Sequence, residues 1–343
     1  MTRLSSLVDI FNASMWHYCA QKFQMDALSR ILALIPVSGT LDVRCHFGEP
    51  WRIEEHASEE REIRYHVLLR GTARVEDNTA EPLSLRPGDI ILFPSGTPHV
   101  LHDGSGNTPM PQTEDNHNRV SVVTNGSSTP TTDLLCGRFR IPASSQQLLL
   151  NHLPSRLVVR GIQDEESGRG MTEAVVASSR LARLIELMRE EAIEQGLGSD
   201  AMLNHLSGAL FSLTLRLGGL ADAAPKGLLA LARSKPLQPA LRAMLEQPEV
   251  AWSLPRLADL CSMSRATFIR RFDSICGCSA IDLLTEIRMT MAGRQLVATQ
   301  MSIAVIGEAV GYQSEAAFQR VFKKHVGVTP ARWRALAREQ YAS

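Results

Sequence analysis

No run of apolar residues in this chain approaches the roughly 20 that a helix needs to cross a bilayer. The N-terminus lacks the basic, apolar and small-residue order of a secretory signal. Both absences point to a cytoplasmic protein with no membrane partner. Cysteine is sparse, with Cys19, Cys45, Cys136, Cys261, Cys276 and Cys278 spread over 343 residues and no C-x-x-C pair among them. That usage argues against a disulfide framework and for thiols that are buried, metal-binding or redox-reactive. Net charge is missing as well: 36 basic residues balance 36 acidic ones. Such a chain is not built to coat nucleic acid over its whole surface.

The balance hides an asymmetry. Counting Lys and Arg against Asp and Glu, residues 1–230 carry −6 and residues 231–343 carry +6. A basic C-terminal third on an acidic body suggests one module for a polyanion and one for another task. The length calls for two domains, with room for a third.

Residues 1–24 share no pattern with the barrel-like stretch after them and read as a disordered extension before Met25. A sensor domain is read over 25–165, and from Thr40 to Cys136 its texture is β. "REIRYHVLLRGTARVE" alternates and turns at a glycine, and "LSLRPGDIILFPSGTPHVLH" sets an apolar run between turn signals. Short strands at this spacing predict a small barrel or sandwich. Residues 103–133 are polar and rich in Gly, Ser, Thr and Pro, and read as a flexible insertion. "LLCGRFRI" then resumes a strand. Two amphipathic stretches over 171–220 predict a helical hairpin, packed on the barrel or serving a dimer interface. Residues 221–238 read as a linker.

From 239 to 340 the chain is helical and repeats itself. "SRATFIRRFDSICGCSAIDLL" and "SEAAFQRVFKKHVGVTPARWR" align at an offset of 50, each after a short helix and a tight turn. Helix, turn, helix, twice, is an arrangement that reads DNA major grooves. Ser264 and Ser314 fall at N-cap positions. Phe268 and Phe272, like Phe318 and Phe322, lie at i and i+4 and anchor each helix to a core. The opposite face carries Arg265, Ala266, Thr267, Ile269 and Arg270 in the first copy. In the second it carries Glu315, Ala316, Gln319, Arg320, Lys323 and Lys324. Arg suits a guanine edge, Gln an adenine and Ala a thymine methyl. Lys323 and Lys324, one turn on, suit phosphates.

"AVIGEAVGYQSEAAFQRVFKKHVGVTPARWR" resembles the C-terminal signature of AraC/XylS transcriptional regulators. The resemblance covers roughly 240–338. It implies two recognition helices in successive major grooves of double-stranded DNA, joined by a long helix at about 279–298. One departure is plain: Ala266 and Ile269 leave the first copy few polar base-readers. The implied fold is α+β and multidomain, with a cupin-like barrel and helical hairpin before an all-α double helix-turn-helix.

"GDIILFPSGTPH", residues 88–99, fits the second cupin motif, with His99 pointing into a barrel. The first motif is incomplete, since "RYHVLLRG" holds one His where a pair is expected and lacks the ligand Glu. A catalytic metal needs about three ligands. His56, His66 and His99 are the weak candidates, and satisfied structural histidines are the expectation. No cofactor is implied, and no enzyme activity is expected.

The N-terminal half is also similar to the cupin-type sensor of AraC-family regulators. "MDALSRILALIPVSGTLDVRCHFGEPW", "IRYHVLLRG", "LSLRPGDIILFP" and "LLCGRFRI" resemble its reactive-chlorine-sensing members. That resemblance implies oxidant-responsive cysteines at Cys45 and Cys136. Arg44 and His46 flank Cys45, and Arg138 lies two residues beyond Cys136; positive neighbours favour the oxidisable thiolate. Cys45 is therefore expected to react first. Cys261, Cys276 and Cys278 read as core residues. Two other readings stay open: a barrel that binds a small organic effector, and a metal-dependent cupin enzyme fused to a DNA-binding module. A regulator of this kind would meet RNA polymerase if it activates, and a second copy of itself if the hairpin dimerises.

Overall fold

In the computed structural model the described residues are 25–161, 173–220 and 226–342, save 60, 79, 117–119 and 195. The extension read over 1–24 lies outside them, as do 221–225 of the linker.

Eleven strands among the described residues form two sheets: β1 (Ser38–Phe47), β2 (Arg52–Glu55), β3 (Glu62–Arg70), β4 (Ala73–Asp77), β5 (Leu83–Leu85), β6 (Ile90–Phe93), β7 (His99–His102), β8 (Thr113–Asp115), β9 (Ser121–Thr124), β10 (Thr132–Arg140) and β11 (Leu157–Val159). The larger sheet runs β11-β6-β3-β10-β1-β9-β8 and the smaller β2-β7-β4-β5. Strand alternation gives each sheet two faces. Leu68, Phe93, Leu134 and Cys136 of the large sheet meet Val75, Leu85 and Leu101 of the small one in a shared interior, with Phe47 and Trp51 stacked there. The large sheet's other face carries Ile63, Tyr65, Val67 and Phe139.

A bulge decides where Cys45 points. β1 pairs with β10 antiparallel, but the register shifts between Leu41 and Val43, leaving Asp42 as an extra residue. A bulge reverses which side the following residues face. Leu41 thus packs on the outer face, while Val43, Cys45 and Phe47 turn to the interior.

Residues 103–133 differ from expectation. They are not structureless: β8 and β9 pair as a hairpin, and β9 adds parallel to β1, Val43 opposite Ser121 and Cys45 opposite Val123. The free edge of β1 supplies the backbone partners that this polar segment could not supply for itself. Asn125 reinforces the seam, accepting from the Gly48 amide at 3.0 Å.

Two long helices, α3 (Glu173–Glu194) and α4 (Ser199–Leu220), pack on one another after two short ones, α1 (Ala27–Leu34) and α2 (Ala143–Leu150). Their hairpin lies on the large sheet's outer face, where Phe211 meets Phe139 edge-on at 5.1 Å.

The linker is shorter than read. Within 221–238, α5 (Leu228–Arg233) buries Leu228, Leu229 and Leu231. Its "LLALAR" is too short to show a helical period, so only tertiary packing reveals it. The helical domain continues with α6 (Gln238–Glu246), α7 (Leu254–Leu260), α8 (Arg265–Cys276), α9 (Ala280–Ala298), α10 (Ile303–Ala309), α11 (Glu315–Val326) and α12 (Pro330–Ala342).

Sensor and helical domain share one surface. Arg30 of α1 pairs with Glu246 of α6, and Arg294 of α9 donates to the Ala33 carbonyl at 2.6 Å. One apolar core runs from the sheet's outer face through the hairpin to Phe268, Phe272 and Ile287. The second helix-turn-helix has a separate core: Met289, Ala292, Leu296, Ile306, Val310, Phe318 and Phe322.

Candidate functional site

The barrel interior holds a line of four polar side chains drawn from four strands. Cys45 of β1 and Cys136 of the adjacent β10 are both buried and face the same interior. His66 of β3 sits directly opposite Cys136 in the ladder. Its Nδ1 lies 3.0 Å from Cys136 Sγ, and its Nε2 lies 2.8 Å from His99 Nε2, across to the other sheet. The line ends where His99 Nδ1 meets the Thr97 carbonyl at 2.9 Å. His99 also stacks on Phe93 at 3.5 Å between centroids.

The far carbonyl fixes every proton in the line. A carbonyl only accepts, so His99 Nδ1 carries a proton and donates it. Neutral His99 then presents a bare Nε2, which must accept from His66 Nε2–H. His66 Nδ1 is left bare, facing the Cys136 thiol as its proton acceptor. Both rings are neutral at physiological pH. Burial pushes His66 well below the ordinary histidine range, with His99 and Arg64 adding to the push. Burial lowers His99 to about 4. The Cys136 thiol is held well above its ordinary value, first by the neighbouring Cys45 thiol, then by burial, with the carboxylates of Glu55 and Asp42 adding to the push.

These depressed histidines set an acid limit on the fold. Between about pH 6.5 and 4 the unfolded His99 binds a proton that the folded ring refuses, so stability falls as pH falls. The shift to about 4 is worth ~2 kcal/mol by pH 5 and ~3 kcal/mol by pH 4. His66 acts in the same direction. Denaturant unfolding at pH 7 and pH 5 should show this loss, and His99→Asn should flatten the slope. Equal slopes for both proteins would show that these rings titrate elsewhere.

The sequence-level reason for a reactive Cys45 does not hold. Arg44 and His46 lie on the opposite face of β1, as neighbours on a strand must. There Arg44 makes a bidentate pair with Asp133 at 2.8 and 3.2 Å, with His46 Nδ1 3.6 Å from the same carboxylate. Arg138 is likewise neutralised, by Asp42 at 2.8 Å and Glu62 at 3.5 Å. What the strand pattern does bring together is the pair itself. His66 was visible only as a weak metal candidate; its contact with Cys136 depends on a register that no local pattern reveals. All four ring nitrogens of His66 and His99 are taken up in the line, while His56 is exposed at the barrel mouth. It shares a pocket there of about 380 Å³ with His99, Glu54, Glu55, Glu76 and Asp77.

The two heads of the helical domain share one geometry. Ser264 Oγ accepts from the Thr267 amide at 3.2 Å and Ser314 Oγ from the Ala317 amide at 3.5 Å. Gly277 and Gly327 close α8 and α11 in the left-handed region, φ 80° and 88°. Phe268, Phe272, Phe318 and Phe322 are fully buried. Arg265, Ala266 and Arg270 of α8 are exposed, as are Glu315, Ala316, Arg320, Lys323 and Lys324 of α11. Thr267 and Gln319 are half-buried, and Gln319 donates to Glu315 at 2.8 Å. Ile269 is half-buried as well, packing in part against the core beside Phe268. Among the described residues Arg265, Arg270, Arg320, Lys323 and Lys324 have no carboxylate within 4.0 Å, so their charge is free for an anion.

The pattern of a cupin family matches residues 26–217, and that of a helix-turn-helix domain matches 257–336. The RCS-specific HTH-type transcriptional activator RclR of Escherichia coli K12 is 30% identical over 315 residues, 92% of this chain and 99% of its own. The HTH-type transcriptional regulator MtrA of Neisseria gonorrhoeae is 27% identical over 314 residues, 90% of this chain and 98% of its own. Among solved structures, the DNA-binding domain of AdpA in complex with a target DNA is 30% identical, with a TM-score of 0.30 over 31% of this chain and 96% of that one. ToxT of Vibrio cholerae O395 is 12% identical, with a TM-score of 0.34 over 89% of this chain and 98% of that one. No helix among the described residues is long and apolar enough to cross a membrane.

Proposed function

Because the chain belongs to the AraC family of DNA-binding transcriptional regulators, we propose that its barrel is a thiol-based oxidant sensor that sets how the two heads hold a promoter. The observation that carries this reading is that Cys45 and Cys136, both free and buried, face one interior from the adjacent strands β1 and β10. The relative named for RCS specificity supports it. The barrel interior is filled by Phe47, Trp51 and Phe93, which leaves the rival reading, a small organic effector, only the acidic mouth.

The chemistry proceeds in two balanced steps with hypochlorous acid as oxidant. The Cys45 thiol takes chlorine, giving a sulfenyl chloride and water. Cys136 then displaces chloride, forming the disulfide and releasing one proton. In this reading Cys136 keeps its proton until that step and first attack falls to Cys45. His66 Nδ1 is placed to take the proton as the S–S bond forms, and its Nε2–H is placed to hand one on to His99 Nε2. Closing the disulfide draws β1 toward β10, and β1 lies under the hairpin that joins the shared core. In this reading the partners are double-stranded promoter DNA, RNA polymerase where the protein activates, and a second copy through the hairpin; the chain is not an enzyme. Thiol mass spectrometry after graded hypochlorous acid, run beside an operator-binding assay, tests the sensor. A Cys45–Cys136 linked peptide should appear at the doses that alter binding. Altered binding with both thiols reduced would end the reading.

The reading heads make a separate prediction. Arg320→Ala should cost about 1–3 kcal/mol at the operator and relax sequence preference, as loss of a bidentate base contact does. Lys324→Ala should weaken all sequences alike and reduce the salt slope by about 1. Titrations of operator and random duplex at several salt concentrations separate the two. Equal losses on both duplexes for Arg320→Ala would remove Arg320 from the bases.

A further inference from the structure

Cys276 and Cys278 read as core residues in the sequence, yet the fold places them in a polar cluster. Cys276 ends α8, and Cys278 follows across Gly277, whose left-handed backbone turns the chain sharply. The two sulfurs lie 3.6 Å apart. The third member, His152, comes from the sensor, just beyond α2. One of its ring nitrogens and the two sulfurs all lie within 4.8 Å of one another. His152 Nε2 lies 2.7 Å from Glu286 Oε2 of α9, and Glu286 Oε1 accepts from Asn151 Nδ2 at 2.9 Å. Nδ1 of His152 is buried with no hydrogen-bond partner.

We propose that His152, Cys276 and Cys278 bind one thiophilic closed-shell cation of the zinc class, and that the bound ion ties the sensor to the first reading head. Three independent features agree. Two thiolates on one tetrahedral zinc, each bonded at about 2.3 Å, stand roughly 3.7 Å apart, and the observed sulfur spacing already matches. A histidine that ligates a metal commonly gives its other ring nitrogen to a carboxylate, which fixes the ring; Glu286 fills that role and Asn151 holds Glu286. The nitrogen this leaves free is buried, which an apolar core would not favour. Two sulfurs and an imidazole suit a soft or borderline cation and not calcium or magnesium. Cys276 and His152 are buried and Cys278 is half-buried, so the cluster has a way in. Three protein ligands leave a fourth position for water.

The location gives the ion leverage. The donors span two domains, and the backbone crosses beside them: the Gly227 amide donates to the Ile275 carbonyl at 3.0 Å. This inference does not rest on the redox reading, because Cys45 and Cys136 belong to the separate barrel interior.

Zinc titration of the full chain under reducing conditions, in competition with a chromogenic chelator, tests it. One zinc should bind per chain. Cobalt in its place should give the d–d bands of a tetrahedral site with thiolate charge transfer. Cys278→Ser, a small change at a half-buried position, should lower affinity at least ~100-fold and remove the charge-transfer signature, with unfolding of the metal-free protein measured beside it. Glu286→Gln should lower affinity about 10- to 100-fold while keeping the cobalt spectrum. A Cys45→Ser, Cys136→Ser double variant should bind as the parent does. Absence of one-to-one binding, binding unchanged in Cys278→Ser, or binding lost in the double variant would each overturn the site.

Discussion

Cys45→Ser should lose the oxidant response entirely while keeping its affinity for promoter DNA. The side chain lies inside the barrel, far in the sequence from both heads, and touches no basic reading residue. An effector that changes affinity through a second site typically does so by about 1–3 kcal/mol, or roughly 5- to 150-fold. In Cys45→Ser that whole factor should collapse to one, since the thiol that takes chlorine is gone. Cys136→Ser should behave differently. Its Cys45 still reacts but finds no partner thiol, so oxidation should proceed to sulfenic and higher acids and give no intrachain disulfide. His66→Asn should retain the response and slow it, because only the proton acceptor for the second step is missing. Cys261→Ser, with its thiol buried in the other core, should respond as the parent does. Stopped-flow fluorescence and operator titrations before and after oxidant distinguish the four. A full response from Cys45→Ser would transfer the sensing role elsewhere.

Phe318→Ala should destabilise the second head by about 3–5 kcal/mol, the usual cost of truncating a buried aromatic. Phe318 is fully buried, stands 5.6 Å from Phe322 and 5.7 Å from Tyr312, and packs so closely on Gly307 that a side chain there would press on its ring. Only seven buried residues make up this core, so one lost ring leaves little to hold α11. The first head belongs to the other, larger core and should stay folded. The variant should therefore show two unfolding transitions, a normal sensor, and operator binding reduced to what one head supplies. Calorimetry and operator titration check this. A single cooperative transition less than about 1 kcal/mol below the parent would show that the two heads share their stability.

The heads were legible in the sequence because everything that builds them is local. The phenylalanines at i and i+4, the serine caps and the closing glycines each act within four residues, and the repeat shows them twice. The barrel's strands were legible by alternation. The line from Cys45 to His99 was not. It depends on the bulge at Asp42, which turns Cys45 inward, and on the pairing of His66 with Cys136 seventy residues away. Flanking charge proved a poor guide to Cys45 for the same reason, since neighbours on a strand face apart. The helix inside the linker and the strands inside 103–133 escaped because each takes its order from a distant surface.

The strands of 103–133 bear on how this protein survives crowding. Without β9, β1 would end the large sheet with a ten-residue row of open amides and carbonyls. Such an edge is a template on which another chain can add a strand, the first step of sheet-to-sheet aggregation. β9 pairs along Val43–His46 of it, and the boundary there is β8, three exposed residues long and carrying Glu114 and Asp115. A strand that short and that acidic repels a like copy. If β1 shifts as the proposed disulfide closes, the strand paired to it along Val43–His46 keeps that stretch of the edge covered.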